Sequence, residues 1–395
     1  VKRLTPGLAL ALLAVLLAAC GSTNSTASPS APAVSEPDTS EPGAVASAGA
    51  PTVPTLISPE VNDNGSVTLR LYSPDAISVT ADGDIGNQIL TPNGNGVWSA
   101  TTGPLDPAIY SYHLIVDGAQ MSDPANPDRK GAAESLVTVS GNPPLPWELR
   151  DVPHGSITPV AYQSGVFDDQ RRYVVYTPPG YDRTTDNLPV LYLLHGYEDD
   201  ETSWTSVGKA AVIADNLLAD GRIEPLLIVM PYGQLSPSVS NDTAVGLDFQ
   251  REYERQLLTE IIPAIESDYR AIPDAGHRAM AGNSMGGLQA AYVGMNHPEL
   301  FSTIGMWSSA VFVEPSDLFA RLASASSGLK NSFSYVQIAV GRQDPLYSGS
   351  AVIDDYLTAQ GIAHEFTLTP GQHSWVTWRP YLVDFLQKFC ASSET

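Results

Sequence analysis

Two short, uninterrupted apolar runs, Pro189–Leu194 and Pro225–Met230, constrain the fold of this chain more than any other feature. Each is too short for a helix of useful length and shows no alternation. Both therefore read as strands buried on both faces, which requires a sheet covered by helices on each side. The surrounding sequence agrees. Arg172–Tyr176 reads as a strand, Val212–Ala219 as a helix, and Asp248–Ser267 has helical spacing with Leu257, Leu258, Ile261, Ile262 and Ile265 on one side. Pro263 falls inside that stretch and is expected to kink it. Further strands are predicted near 278–282, 303–307, 335–340 and 364–369, and helices near 285–296, 349–360 and 375–389. Strands alternating with helices over residues 156–390 predict a mostly parallel sheet with helices on both faces.

Residues 55–140 have a different character. Short alternating runs, Ser66–Leu71, Ile77–Val79, Val97–Ser99 and Tyr110–Val116, are separated by Asn64-Gly65, Asp82-Gly83, Pro92-Asn93-Gly94 and Asp117-Gly118. Many short strands with glycine and proline between them predict a small all-β sandwich. Trp98, Tyr110 and Tyr112 have rings that can stack on sugars, but as sandwich core residues they have a simpler explanation. Residues 141–155 are proline-rich and read as a linker. Residues 21–54 are rich in Ser, Pro, Ala and Thr without a hydrophobic period, the composition of a disordered tether.

The first 20 residues carry Lys2 and Arg3, then the apolar run Leu8–Leu17, then Leu17-Ala18-Ala19-Cys20. The run is too short to span a bilayer comfortably. Its end resembles the lipobox of bacterial lipoproteins, which implies cleavage before Cys20, lipidation of Cys20 and an extracytoplasmic location, anchored to the cell envelope or secreted. With Cys390 the only other cysteine, neither a disulfide framework nor a multi-cysteine zinc site is available. The histidines are scattered without ligand spacing, so no metal and no cofactor is expected. A net charge of −23 repels phosphate backbones and argues against nucleic acid as a partner.

The chemistry concentrates in Gly282-Asn283-Ser284-Met285-Gly286, between a short apolar strand and a helical stretch. Gly-x-Ser-x-Gly in that context is a nucleophile elbow, where a sharp turn lifts the serine above the sheet edge. A serine needs a base, and in such sheets the order along the chain is Ser, acid, His. His297 ends the following helix and His364 opens a strand. His373 sits in a loop after a strand and before a helix, the position where open sheets place their sites. Asp344, three residues beyond the strand ending at Gly341, is the matching acid. Oxyanion-hole N–H groups are expected from Met285 and from Tyr197 in the loop after His195, with His195 itself holding that loop. Trp204, Trp375 and Trp378 lie in or beside these loops and are candidate substrate contacts, although packing of the helix after His373 accounts for them equally well.

Further segments fall in order around these residues: Tyr176–Tyr181, Leu194-His195-Gly196, Ile228–Pro231, Glu260–Glu266, Gly282–Gly287, His297–Phe301 and His373–Trp378. Together they resemble the esterase D group of α/β-hydrolases, which includes feruloyl and acetyl xylan esterases. The early region, through Gly96-Val97-Trp98, Leu105-Asp106-Pro107, Tyr110–Tyr112 and Asp123-Pro124, resembles an early-set immunoglobulin-like module. The resemblance implies a carboxylic ester hydrolase with an α/β-hydrolase domain behind an immunoglobulin-like sandwich, and it places Ser284, Asp344 and His373 in the triad. Asn283 departs from the apolar residue many relatives carry there. The implied substrate is a feruloyl or acetyl ester of plant polysaccharide. A siderophore trilactone esterase is the alternative within the family, and a non-catalytic polysaccharide-binding lipoprotein the alternative outside it.

Overall fold

The computed structural model describes residues 54–234, 246–325, 328 and 331–392. The signal-like segment, Cys20 and nearly all of the expected tether lie outside the described residues.

Residues 156–392 build one eight-stranded sheet. Its order is Ser156–Gln163, Gln170–Thr177, Leu227–Pro231, Val190–Leu194, Arg278–Asn283, Thr303–Trp307, Tyr335–Gly341 and Glu365–Thr369. The second strand runs antiparallel to both of its neighbours, and the remaining neighbours all run parallel. The strands that the two apolar runs form, Val190–Leu194 and Leu227–Pro231, lie side by side in the middle of this sheet with every residue buried. Two apolar clusters, one on each face, hold the helices to the sheet. One gathers Tyr192, Leu194, Met280, Leu288 and Ile304, the other Leu191, Leu193, Ala281, Trp307 and Phe385. The alternation of Leu191, Tyr192, Leu193 and Leu194 between them is the period-two geometry of a strand buried on both sides.

The expected helix around Pro263 is present but compound. An α-helical stretch Leu247–Gln256 passes through a π turn, Leu257–Ile261, into a second α-helix, Ile262–Asp268. Proline cannot donate to the preceding turn, and the wider π turn absorbs the mismatch so that Pro263 falls in the first turn of the next helix. An edge strand, Ser156–Gln163, is added to those expected, and it contains Pro159. At a sheet edge the missing N–H faces outward and does no harm.

Residues 60–139 form two antiparallel sheets around a common core of Val67, Leu69, Leu71, Val79, Ala81, Tyr112 and Leu114. Strand Val67–Tyr72 alternates buried and half-buried positions, as its sequence requires. The run at 77–79 needs correction: Ile77 is 89% exposed and the strand starts only at Val79. The N–H groups of Ile77 and Ser78 donate instead to Asp117 Oδ1, at 2.9 and 2.7 Å, which fixes a turn. Strand Glu134–Val139, paired with Ala108–Val116, was also missed.

The β-region is docked on the larger sheet rather than loosely tethered to it. Ile109 and Leu136 join the apolar cluster of the C-terminal helix, Trp375–Ser392. Fully buried Arg379 on that helix donates to Val207 O and, at 2.8 Å, to Ile109 O. Burial lowers its pKa to about 9. The proline-rich junction is likewise packed: Trp147 is buried, and Asn216 Nδ2 donates to Pro146 O and Glu148 O at 2.8 Å each. Among the described residues no helix is long and apolar enough to cross a membrane.

Candidate active site

At the carboxyl end of strand Arg278–Asn283 the chain reverses into the helix beginning at Met285. Ser284 sits at the turn with φ 58° and ψ −117°, a backbone conformation that an L-residue adopts only when its surroundings enforce it. The flanking glycines explain how they do. A Cβ on Gly282 would lie 2.7 Å from Leu194 O, and one on Gly286 only 2.5 Å from the same oxygen. Only hydrogen fits at either position. Ser284 N–H donates to Trp307 O at 2.8 Å, tying the elbow to the adjacent strand.

The structure brings Ser284, His373 and Asp344 together from three separate loops. His373 Nε2 is 3.0 Å from Ser284 Oγ, and its Nδ1 is 3.0 Å from both Asp344 carboxylate oxygens. Burial alone would push the Asp344 carboxyl up. The hydrogen bond and charge of His373, with the Ser308 hydroxyl and the Leu346 N–H, outweigh it and hold the group below its ordinary value. An ionised Asp344 requires the proton of the neutral imidazole on Nδ1. Nε2 is then the acceptor and Ser284 the donor, the arrangement in which histidine acts as general base.

Met285 is the first residue of its helix, so its N–H has no acceptor within the helix. The loop carrying Tyr197 passes directly over the nucleophile: a Cβ on Gly196 would lie 3.4 Å from Ser284 Cβ and 3.0 Å from Asn283 Nδ2. His195 anchors this loop. Its Nε2 accepts from Gly233 N–H at 2.9 Å and its Nδ1 donates to Gly196 O at 2.7 Å. Burial drops its pKa to about 4, keeping it neutral and fit for both bonds. The other two histidines after Ser284 are engaged elsewhere, His297 between Glu254 and Glu299, and His364 with Asp354.

Of the three tryptophans expected as substrate contacts, Trp204 stands apart from the cavity and Trp375 and Trp378 lie in its wall. Trp204 is 1% exposed, donates to Leu194 O at 2.9 Å, and stacks edge-on against Trp307 and Trp375. It does not line the cavity. Trp375 and Trp378 reach the cavity wall but are almost wholly buried. Trp378 meets the His373 ring edge-to-face with centroids 4.8 Å apart, and donates to Ser308 Oγ at 3.0 Å. The Trp378 ring thus braces the histidine loop. In the β-region Tyr112 is fully buried, Tyr110 donates to Asp106 O, and Trp98 donates to Ser73 O, so all three serve the core.

A cavity of about 990 Å³ opens above Ser284 and His373. The loop Gly196–Asp200 forms one side, and the β-region, through Asp82–Asp84, His113 and Lys130–Glu134, forms the opposite side. Nothing local in the sequence marks those β-region residues, because they become neighbours of the triad only through docking. Asp199 in the cavity wall is pushed up to about 7, chiefly by burial; Lys130 opposes the shift, and Asp200 and Glu134 add to it. Among the described residues no group of three or more His, Cys, Asp or Glu is placed to hold a metal ion.

With fold and geometry in place, comparison with known proteins defines the class. The Esterase family model matches residues 164–389, more than half of the chain, and the protein belongs to that family. An endo-1,4-beta-xylanase/feruloyl esterase of Xylanibacter ruminicola is 33% identical over 343 residues, covering 83% of this chain and 45% of the relative. The chain thus spans about half the length of the curated relatives it first matches, with 56% of a Corynebacterium glutamicum protein covered in the next. Among solved structures, the feruloyl esterase module of Clostridium thermocellum complexed with sinapinate superposes with a TM-score of 0.54 at 23% identity, over 62% of this chain and 92% of the module. The enterobactin esterase of Shigella flexneri superposes with a TM-score of 0.63 at 18% identity, over 82% of this chain and 93% of that one. At such identities both likenesses speak for the α/β-hydrolase fold alone.

Proposed function

We propose that this protein is a serine carboxylic ester hydrolase that works through an acyl-enzyme on feruloyl or acetyl esters of plant polysaccharide. The observation that carries the reading is the relay Asp344–His373–Ser284, closed at 3.0 Å at each step, with the serine on a strained elbow. His373 takes the proton of Ser284 as its oxygen attacks the ester carbonyl. The N–H groups of Met285 and Tyr197 receive the oxyanion, Met285 from the helix start and Tyr197 from the loop that Gly196 brings over the nucleophile. His373 then protonates the leaving alcohol. In the second half it activates water, which releases the acid. Asp344 keeps the proton on Nδ1 and stabilises the imidazolium.

Sequence likeness to the Xylanibacter enzyme, over both the β-region and the sheet domain, supports the feruloyl reading. Enterobactin esterase resembles this chain over an equally wide span, which favours a siderophore trilactone esterase as the second reading. The cavity argues against it: six acidic side chains, of which only Asp199 is raised to about 7, and one ammonium line its walls, a net negative field that repels anionic ligands such as ferric catecholates. The two β-sheets around one core support assignment of residues 55–140 as an immunoglobulin-like module, and the lipobox-like run supports lipid anchoring at Cys20 outside the cytoplasm. A non-catalytic polysaccharide-binding role has no use for a closed relay on a strained elbow.

The test is hydrolysis of p-nitrophenyl acetate and methyl ferulate by the protein and its Ser284→Ala variant. The variant is expected to fold normally and to lose both activities by several orders of magnitude. Undiminished turnover would refute the assignment. Palmitate labelling that survives Cys20→Ala would remove the anchor.

A further inference from the structure

We propose that Arg171, buried behind the loop that carries Tyr197, is a positioning residue for catalysis: through a head-to-tail chain of hydrogen bonds it orients and polarises the Tyr197 N–H that receives the oxyanion. The inference rests on the ester-hydrolase reading and adds to it the charge that stands behind one of the two oxyanion donors.

The first argument is the direction of each bond. Arg171 Nη2 donates to Tyr232 O at 3.1 Å. That carbonyl belongs to the same peptide group as the Gly233 N–H, which donates to His195 Nε2 at 2.9 Å. A backbone N–H only donates, so the proton of the neutral imidazole lies on Nδ1, and Nδ1 donates to Gly196 O at 2.7 Å. Gly196 O in turn shares its peptide group with the Tyr197 N–H. Neither peptide is cis, and across a trans peptide the C=O and N–H point in opposite directions. Holding Gly196 O toward His195 therefore turns the Tyr197 N–H away from the buried imidazole, toward the cavity that Gly196, Tyr197 and Ser284 line. Gln289, from the helix that follows the nucleophile, donates to Gly233 O at 2.7 Å and pins the middle of the chain. Every bond of the chain runs the same way, from guanidinium to oxyanion. Aligned bonds polarise one another, so a cation at one end makes the last N–H a stronger donor.

The second argument is that an ordinary ion pair does not account for Arg171. It lies on strand Gln170–Thr177, fully buried, and Asp169, the carboxylate in ion-pair range, is 3.9 Å away and partly exposed. Its Nε and Nη1 have no hydrogen-bond partner among the described residues. A buried charge so poorly paired costs stability. The Phe167 and Tyr232 rings, with centroids 4.4 and 4.9 Å from the guanidinium carbon, offset part of that cost. Burial lowers the pKa of Arg171 against the pull of Asp169, but a guanidinium starts so high that the charge stays. Burial foremost, with the Arg171 charge in the same sense, keeps His195 neutral, as the chain requires. A positive charge retained at this cost has its use at the far end, where negative charge develops on the carbonyl oxygen in the transition state.

The experiment measures kcat and KM for p-nitrophenyl acetate and methyl ferulate in the full chain and in its Arg171→Met, Arg171→Lys, His195→Phe and doubly substituted Arg171→Met, His195→Phe forms, with thermal melts to establish that each folds. Arg171→Met is expected to lower kcat about ten- to a hundredfold, less than the outright loss of an oxyanion donor, with KM changed by less than about threefold. Arg171→Lys restores the charge and should recover most of the loss. In the His195→Phe background the chain is already cut, so Arg171→Met should cost less than about twofold more. A separate structural role for Arg171 would multiply the two losses instead. If Arg171→Met does not fold, Arg171→Gln, a donor without the charge, replaces it; if His195→Phe does not fold, the contrast with Arg171→Lys carries the test. Unchanged kcat in Arg171→Met, an Arg171→Lys form as slow as Arg171→Met, or losses that multiply in the double form overturn the chain. A native protein that turns over neither ester overturns the esterase reading itself.

Discussion

The two walls of the cavity are built differently. On the sheet side, Ser284, His373 and Asp344 hang from loops at strand ends. They are locked by hydrogen bonds at 3.0 Å, by a left-handed serine, and by Trp378 packed against the histidine. On the β-region side, charged groups stand on short strands and turns, with one ion pair among several like charges. The first wall suits chemistry, which needs fixed geometry. The second suits recognition, which needs polar groups that exchange water for ligand. Damage to the first should therefore collapse the rate, and damage to the second should redistribute specificity or stability.

The largest effect should come from Ser284→Ala, with a loss of about 10⁴-fold or more in kcat measured on p-nitrophenyl acetate. Next, Asp344→Asn should lower kcat about 10³- to 10⁴-fold while leaving the fold intact, because the wrong imidazole tautomer is then favoured. A stopped assay of both variants beside circular dichroism checks this, and a mild loss for Asp344→Asn would mean the first wall is less rigid than described.

Arg379→Met probes the joint between the walls. It strands Val207 O and Ile109 O in a buried seam and should reduce unfolding free energy by about 2–4 kcal/mol in urea titration. Sugar-ester specificity should fall further than methyl-ester hydrolysis, since the β-region is held in place through Arg379. Equal falls would erase the distinction between the walls.

The smallest effect concerns pH. Asp199 is raised by burial from 3.8 to about 7, so the unfolded chain releases this proton first and stability is lost as pH rises between those values. Asp199→Asn removes that loss. Its stability relative to the native protein should improve steadily from pH 4 toward pH 7 and level off above, as followed by thermal melts. A difference independent of pH would show that Asp199 carries no such penalty.

Much of the first wall was legible in the sequence, for a physical reason. A nucleophile elbow forces two glycines, a serine, a preceding apolar strand and a following helix into one short stretch. The acid and base then follow in a fixed order after strands with strong apolar signals. The alternation in Val67–Tyr72 exposed the β-region in the same local way. Long-range packing was not legible. Trp204 sits near a catalytic loop in sequence and is packed in the core in space, while Trp375 and Trp378 reach the cavity only as nearly buried wall residues. Lys130 and Glu134 carry no motif and reach the cavity only because Ile109 and Leu136 dock the β-region on the C-terminal helix. The edge strand that contains Pro159 was not among those expected, and Pro263 was accommodated by a π turn where a kink was expected.

The most direct measurement is labelling of the intact protein with a fluorophosphonate, followed by mass spectrometric mapping of the adduct. A single adduct on Ser284, absent in Ser284→Ala and slowed in His373→Ala, is the predicted result. An unlabelled Ser284 in a protein that still hydrolyses esters would contradict the account.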